Sequence, residues 1–369
     1  MKVAYIVEPR KVIGGGVRAA INLVKALKQY HNENAMIWGT FRGTVKDDAV
    51  DLYEIDTLSP ISLSYFIQFH HFIKKQSPDV VHCLGLYTAL VCVLYKKIFR
   101  ADYKIVLTVH RVTFNMRFRS LIKFVNNLIQ KNASHVTFLT EYQRDHYFNN
   151  IHFTPSHYSI IPNVIFVEKL SEDVISKQRQ ELSSKLNSPL LLSYVGRIIP
   201  SKNIEDFIRI ISILNKKKIN VGGVLVGGYS KEHFEKLQHV IEEEKIAEKI
   251  LFLGYVNNPT LYTAACDFTL LPTKHGEALP NLLVESFALG KITFSSDIPQ
   301  MVGLIDNAKN SYTHSLNKLD EFAQQVINII KDDSLREKIS KGALSTYNTS
   351  YDPQLVVGKY YSIYTSLMK

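Results

Sequence analysis

The sequence predicts two α/β domains, each built on a parallel sheet covered by helices on both faces. Short runs rich in valine and isoleucine alternate with helical stretches throughout, which is the pattern of strands buried on both sides. The chain has 369 residues, long for one hydrophobic core and comfortable for two. The polar, charge-rich stretch Glu168–Ser188 breaks the strand rhythm, as a connection between two domains does.

Taken in order, strands are expected in the first half at Val3–Val7, Ala35–Trp38, Val80–Cys83, Ile105–Val109, Val136–Leu139 and Tyr158–Ile161. In the second half they are expected at Leu190–Val195, Gly223–Val226, Ile250–Leu253, Phe268–Leu271 and Ile292–Phe294. A helix starting near Val17 follows the first strand. The stretch after Glu168 supplies the hinge and the entry helix of the second domain. The domains divide as 1–168 and 169–352, and the tail 353–369, with Tyr360, Tyr361, Ile363 and Tyr364, reads as an amphipathic helix. The longest uncharged run, Val80 to Tyr95, has 16 residues, short of the roughly 20 needed to span a bilayer. A buried strand followed by a buried helix accounts for it.

Three cysteines, Cys83, Cys92 and Cys266, form neither an even set nor a ligand-like spacing, so they read as buried thiols of a reducing compartment. The start MKVAYIVEPRK brings charge in after only a few apolar residues, which fits a first strand and not a signal peptide. A cytoplasmic chain is expected. Charge is uneven: residues 1–170 hold 21 Lys and Arg against 12 Asp and Glu, whereas residues 171–369 hold 23 against 22. An acidic partner for the first half follows, with anionic membrane and phosphorylated acceptor both fitting. The segment Val112–Phe124 mixes Arg117, Arg119 and Lys123 with Phe114, Phe118 and Phe124. That mixture suits the headgroup level of an anionic bilayer, and it equally suits a domain helix with a solvated basic face. No recognised reading motif accompanies the charge, so nucleic acid is not expected.

The stretch HGEALPNLLVESFALG is the most informative in the chain. Pro280 fits a first helical turn, Leu282, Leu283, Ser286 and Phe287 fall at helical spacing, and Gly290 is a fitting stop. Glu277 then lies in a loop and Glu285 inside the helix. The first-turn amides near Asn281 and Leu282 form an anion site, so a phosphate could sit between two carboxylates that accept hydroxyl protons. Upstream, YVGRIIPSKN places Arg197 and Lys202 around Pro200, with Asn203 beginning a helix. Two cations beside a helix start suit a diphosphate. Gly14, Gly15 and Gly16 form a loop where backbone can approach a ligand closely, although a tight turn would use the same residues. They lack the Gly-x-Gly-x-x-Gly spacing, and the second strand ends in Trp38-Gly39-Thr40 without an acidic residue for a ribose, so a dinucleotide cofactor is not expected. His110 closes its strand at the carboxyl end, where ligands of open α/β sheets bind. His82 occupies a similar strand end and reads as a support. There is no Asp-x-Asp and no metal-like His/Cys/carboxylate spacing, so no metal is expected.

The Glu-x7-Glu spacing of Glu277 and Glu285, together with GRIIPSKN, resembles glycosyltransferase family 4, retaining enzymes of the GT-B fold that use a nucleotide sugar. The resemblance implies two Rossmann-like domains facing a central cleft, with the C-terminal helix crossing back onto the first and the donor mainly on the second. It implies that Arg197 and Lys202 neutralise the donor diphosphate and the departing nucleotide, that Glu285 holds the ribose, and that Glu277 holds the sugar hydroxyls. It places the glycine loop at the cleft and a histidine such as His110 beside the sugar. FLGYV at Phe252–Val256 resembles the segment whose backbone meets the nucleobase, which puts Tyr255 at the donor site, and IPN at Ile161–Asn163 resembles the family's signature at the end of the first domain. The implied reaction moves a hexosyl group from a UDP- or GDP-sugar to a hydroxyl of a glycan, lipid-linked or phosphorylated acceptor, in bacterial-type surface polysaccharide or glycoconjugate synthesis, with no cofactor. The alternatives are a sugar-nucleotide epimerase of the same fold and a catalytically silent subunit that binds a partner.

Overall fold

The computed structural model describes residues 1–8, 15–41, 50–55, 62–110 and 119–369. The chain divides into two compact units, Met1–Ile165 with Tyr351–Lys369, and Phe166–Ser350.

The first unit holds seven strands: β1 (Val3–Val7), β2 (Ala35–Gly39), β3 (Asp51–Glu54), β4 (Val80–Leu84), β5 (Lys104–Val109), β6 (His135–Phe138) and β7 (Tyr158–Ile160). They lie in the order β3-β2-β1-β4-β5-β6-β7, every pair parallel. The chain leaves β1 for β2 on one side and returns to β4 on the other, so the strand order reverses between β1 and β4. Every residue of β1 is buried, as a strand covered on both faces requires. β3 was not anticipated from the sequence. It is a polar edge strand, DLYE, half-buried to exposed, and it lacks the continuous apolar run that marks a central strand. The helix after β1 spans Gly15–His31 and so begins two residues before Val17, with Gly15 and Gly16 in its first turn. The uncharged run resolves into β4 and the helix Leu86–Phe99. Among the described residues no helix is long and apolar enough to cross a membrane.

The C-terminal helix Pro353–Ser366 belongs to the first unit and is fastened through its tyrosines. Tyr364 Oη lies 2.7 Å from Tyr5 Oη and 2.6 Å from His82 Nδ1, and His82 Nε2 lies 2.7 Å from Thr108 Oγ1. Tyr361 stacks on His31 at 4.1 Å. A buried tyrosine or histidine needs such partners, because an unpaired polar group in an apolar interior is costly. Burial, with His110 and His135 adding smaller contributions, pushes His82 down to about 3, so the ring is neutral. His82 therefore ties the returning helix to β4 from a fully buried position.

The second unit holds β8 (Leu190–Val195), β9 (Val221–Val226), β10 (Ile250–Gly254), β11 (Phe268–Leu271), β12 (Ile292–Ser296) and β13 (Tyr312–His314). Their order is β10-β9-β8-β11-β12-β13, again wholly parallel. Here the reversal falls between β8 and β11. Three-residue β13 was not anticipated, being half-buried along its length at the sheet edge. The charge-rich connection is a helix over Glu172–Leu186. Leu182 and Leu186 bury against the sheet, and Arg179 holds the helix by donating to the Ala265 and Pro189 carbonyls and to Asp267. The three cysteines are buried free thiols.

Candidate active site

Ligands of open parallel sheets bind beyond the carboxyl ends of the strands, at the point where the strand order reverses. In the second unit that point lies beyond β8 and β11, and the two loops that start there carry Lys202 and Glu277.

The loop after β8 is held by its own backbone. Gly196 N–H donates to the Val226 carbonyl at 2.9 Å and Ile198 N–H to the Gly228 carbonyl at 3.0 Å, which extends the β8–β9 pairing past the strands. Only glycine fits at Gly227, since a Cβ there would lie 1.7 Å from the Gly196 carbonyl oxygen and φ is +143°. Pro200–Lys202 then form one 3₁₀ turn, and Asn203, in the left-handed region at φ 56°, leads into the helix Ile204–Lys216. Asn203 thus stands at the start of the helix, as its N-cap. The side-chain amide of Asn203 donates to Asp206 at 2.6 Å, which braces the turn.

The loop after β11 is tied to this turn. Lys274 N–H donates to the Ser201 carbonyl at 2.9 Å, and the Ser296 hydroxyl donates to the Thr273 carbonyl at 2.5 Å. These backbone links bring residues 75 positions apart into contact, and Lys202 Nζ donates to Glu277 Oε1. Each side chain of that ion pair is 14 % exposed. Removing either partner would strand a charge in a poorly solvated place. Arg197 is exposed, and its carbonyl accepts from Tyr194 Oη at 3.1 Å. Burial raises the Tyr194 phenol, the nearby Glu277 carboxylate raises it further, and Arg197 opposes both. Tyr194 is thus a neutral hydroxyl wedged beside the anion and cation of the site. Sequence reasoning missed it, because inside β8 it reads as one more core residue.

The helix after Glu277 spans Asn281–Ala288, with Pro280 as its cap and Gly290 in the left-handed region at φ 63°. Pro280 therefore precedes the first turn. Its carbonyl accepts from Leu283 at 3.2 Å and Val284 at 3.4 Å, so the amides of Asn281 and Leu282 have no acceptor within the helix. Asn281 is half-buried and Leu282 buried; Glu285, one turn on, is half-buried. Tyr255 follows β10 and is 76 % exposed.

In the first unit, His110 directly follows β5 and is half-buried. Gly15 and Gly16 open the helix after β1, at that sheet's own reversal point, and Gly14 lies outside the described residues. Phe124 is exposed in the helix Arg119–Asn132, and residues 112–118 lie outside the described residues. Among the described residues no group of three or more His, Cys, Asp or Glu side chains gathers as a metal site would.

Two Rossmann-like domains with this cation and carboxylate arrangement at a reversal point define a GT-B glycosyltransferase. The family described as Glycosyltransferase Family 4 matches residues 13–169, and that described as Glycosyl transferases group 1 matches residues 174–346. The chain belongs to glycosyltransferase family 4. It is 22 % identical to the capsular polysaccharide biosynthesis glycosyltransferase CapM of Staphylococcus aureus over 56 % of this chain and 54 % of that one, about half the length of each. It is 22 % identical to the O-antigen biosynthesis glycosyltransferase WclY of Escherichia coli over 83 % of both. The crystal structure of Anabaena Alr3699/HepE in complex with UDP and glucose superposes with a TM-score of 0.84 at 17 % identity, covering 99 % of this chain and 100 % of that one.

Proposed function

We propose that this glycosyltransferase moves a hexosyl group from a nucleoside diphosphate sugar to a hydroxyl of a glycan or lipid-linked acceptor, with retained anomeric configuration, in surface polysaccharide or glycoconjugate synthesis. The observation that carries the reading is the Lys202–Glu277 pair at the sheet reversal, flanked by Arg197 and by the first amides of the helix Asn281–Ala288. CapM and WclY are named for polysaccharide and O-antigen synthesis, and HepE was solved with UDP and glucose; both support the substrate class. Retention is supported by family membership.

In this reading the bond between the sugar's anomeric carbon and the diphosphate oxygen breaks, an acceptor oxygen bonds to that carbon, and the acceptor hydroxyl gives up its proton. Negative charge grows on the departing diphosphate. Arg197, Lys202 and the amides of Asn281 and Leu282 meet that charge, and groups fixed in advance lower the barrier without reorganising. Lys202 has three donors, so it can hold Glu277 and a phosphate together. Glu277 accepts from sugar hydroxyls and Glu285 from the ribose. A thermal-shift panel tests the donor class: at one hundred times Kd, a ligand bound only by the folded state adds about 2.7 kcal/mol. UDP or GDP, and the matching nucleotide sugar, should raise the melting temperature. A panel in which no nucleoside diphosphate shifts it would sink the donor assignment.

The acceptor side of this reading includes docking of the first unit on an anionic bilayer. It is supported by the excess of 21 basic over 12 acidic residues in 1–170 and by exposed Ile98, Phe99 and Phe124 beside Lys96, Lys97, Arg100 and Lys123. Each basic residue near such a surface contributes about 1 kcal/mol. Vesicle sedimentation should show binding to anionic lipid that weakens with salt and when Arg117, Arg119 and Lys123 become Gln. If the three replacements leave lipid binding intact but impair transfer to a soluble phosphorylated acceptor, the membrane reading is discarded and the acceptor is the reason for the charge.

A further inference from the structure

We infer that Tyr229 is the platform on which the donor's nucleobase stacks, and that it sets base affinity; the inference rests on the donor reading above. Tyr229 lies just beyond β9, and its backbone pairs in parallel with Ile198, the residue after Arg197. The Gly227 N–H donates to the Gly254 carbonyl at 2.8 Å, which ties the end of β9 to that of β10, where Tyr255 stands. Adjacent strands are ~4.8 Å apart, so the ends of β8, β9 and β10 form a short row running outward from the diphosphate cations. A nucleotide whose phosphates sit at Arg197 and Lys202 has its base to place, and Tyr229 is the next side chain along that row.

The ring is held before any ligand arrives. Phe234 stacks against it at 4.7 Å with an interplanar angle of 15°, and Phe252 meets it edge-on at 6.0 Å and 82°. Phe252 also meets Phe234 edge-on at 5.1 Å, so the three rings brace one another. The next residue, Ser230, caps the helix Lys231–Glu244 by accepting from His233 N–H at 3.2 Å, which fixes the backbone on that side. With one face packed on Phe234, Tyr229 is still 39 % exposed. A core function would bury that second face, whereas a stacking platform requires it open. Because the ring is already ordered, little conformational entropy is lost when a base lands on it.

The test compares binding of UDP, GDP and ADP, and of inorganic pyrophosphate, to the wild type, Tyr229→Ala and Tyr229→Phe by calorimetry on protein whose folding is verified by circular dichroism. Stacking on an aromatic ring is lost on alanine substitution with an effect on the order of tenfold or more. Tyr229→Ala should lose at least that much affinity for the preferred nucleotide while pyrophosphate binding stays unchanged, and Tyr229→Phe, which keeps the ring, should bind as the wild type does. A folded Tyr229→Ala protein with wild-type nucleotide affinity overturns the inference and leaves the donor reading intact. So does equal loss of nucleotide and pyrophosphate, which marks a general disturbance of the Arg197 loop. A wild type that binds none of the three nucleotides removes the donor reading and this inference together.

Discussion

Neutralising Arg197 and Lys202 together should lower affinity for a nucleoside diphosphate by a hundredfold or more and leave affinity for the nucleoside nearly unchanged. Hydrogen bonds to charged groups contribute about 1.5–3 kcal/mol each, and both cations face the diphosphate in this reading. The two residues are not equivalent, and that shapes the experiment. No carboxylate among the described residues pairs with Arg197, so Arg197→Gln removes charge alone. Lys202 balances Glu277 where both side chains are 14 % exposed, so Lys202→Gln also strands a carboxylate, at some cost in stability. Arg197→Gln should therefore weaken nucleotide binding with little change in melting temperature, and the double variant should lose both. Calorimetry with a nucleoside and its diphosphate separates the cases: equal losses for the two ligands would mean the pocket has been disturbed and the charges carry no special role.

Central strands were legible in the sequence because burial on both faces demands apolar runs. β1, β8 and β11 fall at the residues expected of them. The edge strands β3 and β13 escaped for the converse reason, since DLYE and YTH are half-solvated and carry no such run. The site residues were legible as types at a spacing, but the Lys202–Glu277 contact was not. It depends on β8 lying beside β11 and on one backbone bond from Lys274 to Ser201, and neither is written in local pattern. His82 and His110 show the same limit. His110 stands just past the carboxyl end of β5, but His82, expected at a similar strand end, falls in the middle of β4 and is consumed by Tyr364, 282 positions away, and only the folded chain brings that tyrosine to it. Tyr194 and Tyr229 look like ordinary strand and loop residues until their neighbours across the sheet are known.

Removing Glu277 and removing Glu285 should fail in different ways, and the difference follows from what each carboxylate touches. Glu277 is bound to Lys202. In Glu277→Ala the lysine loses its counter-charge, and its full positive field is left for the diphosphate, so affinity for the bare nucleoside diphosphate should hold or rise. Sugar transfer should nevertheless fall, because the group that accepts the sugar hydroxyls is gone and the lysine is no longer fixed by a second anchor; orientation of this kind is a large part of any transfer rate. Glu285 lies one turn into the helix Asn281–Ala288, on the ribose side in this reading, so Glu285→Ala should cost about 1.5–3 kcal/mol of nucleoside diphosphate affinity and lower transfer with it. Titration of the bare nucleotide, set beside turnover with the nucleotide sugar, therefore gives a loss of binding for Glu285→Ala alone and a loss of transfer for both variants. If both folded variants bind and turn over as the wild type does, the carboxylates are structural and the donor site lies elsewhere. If Glu277→Ala loses nucleotide affinity as deeply as Glu285→Ala, Glu277 serves to position Lys202 for the diphosphate, and its assignment to the sugar hydroxyls is withdrawn.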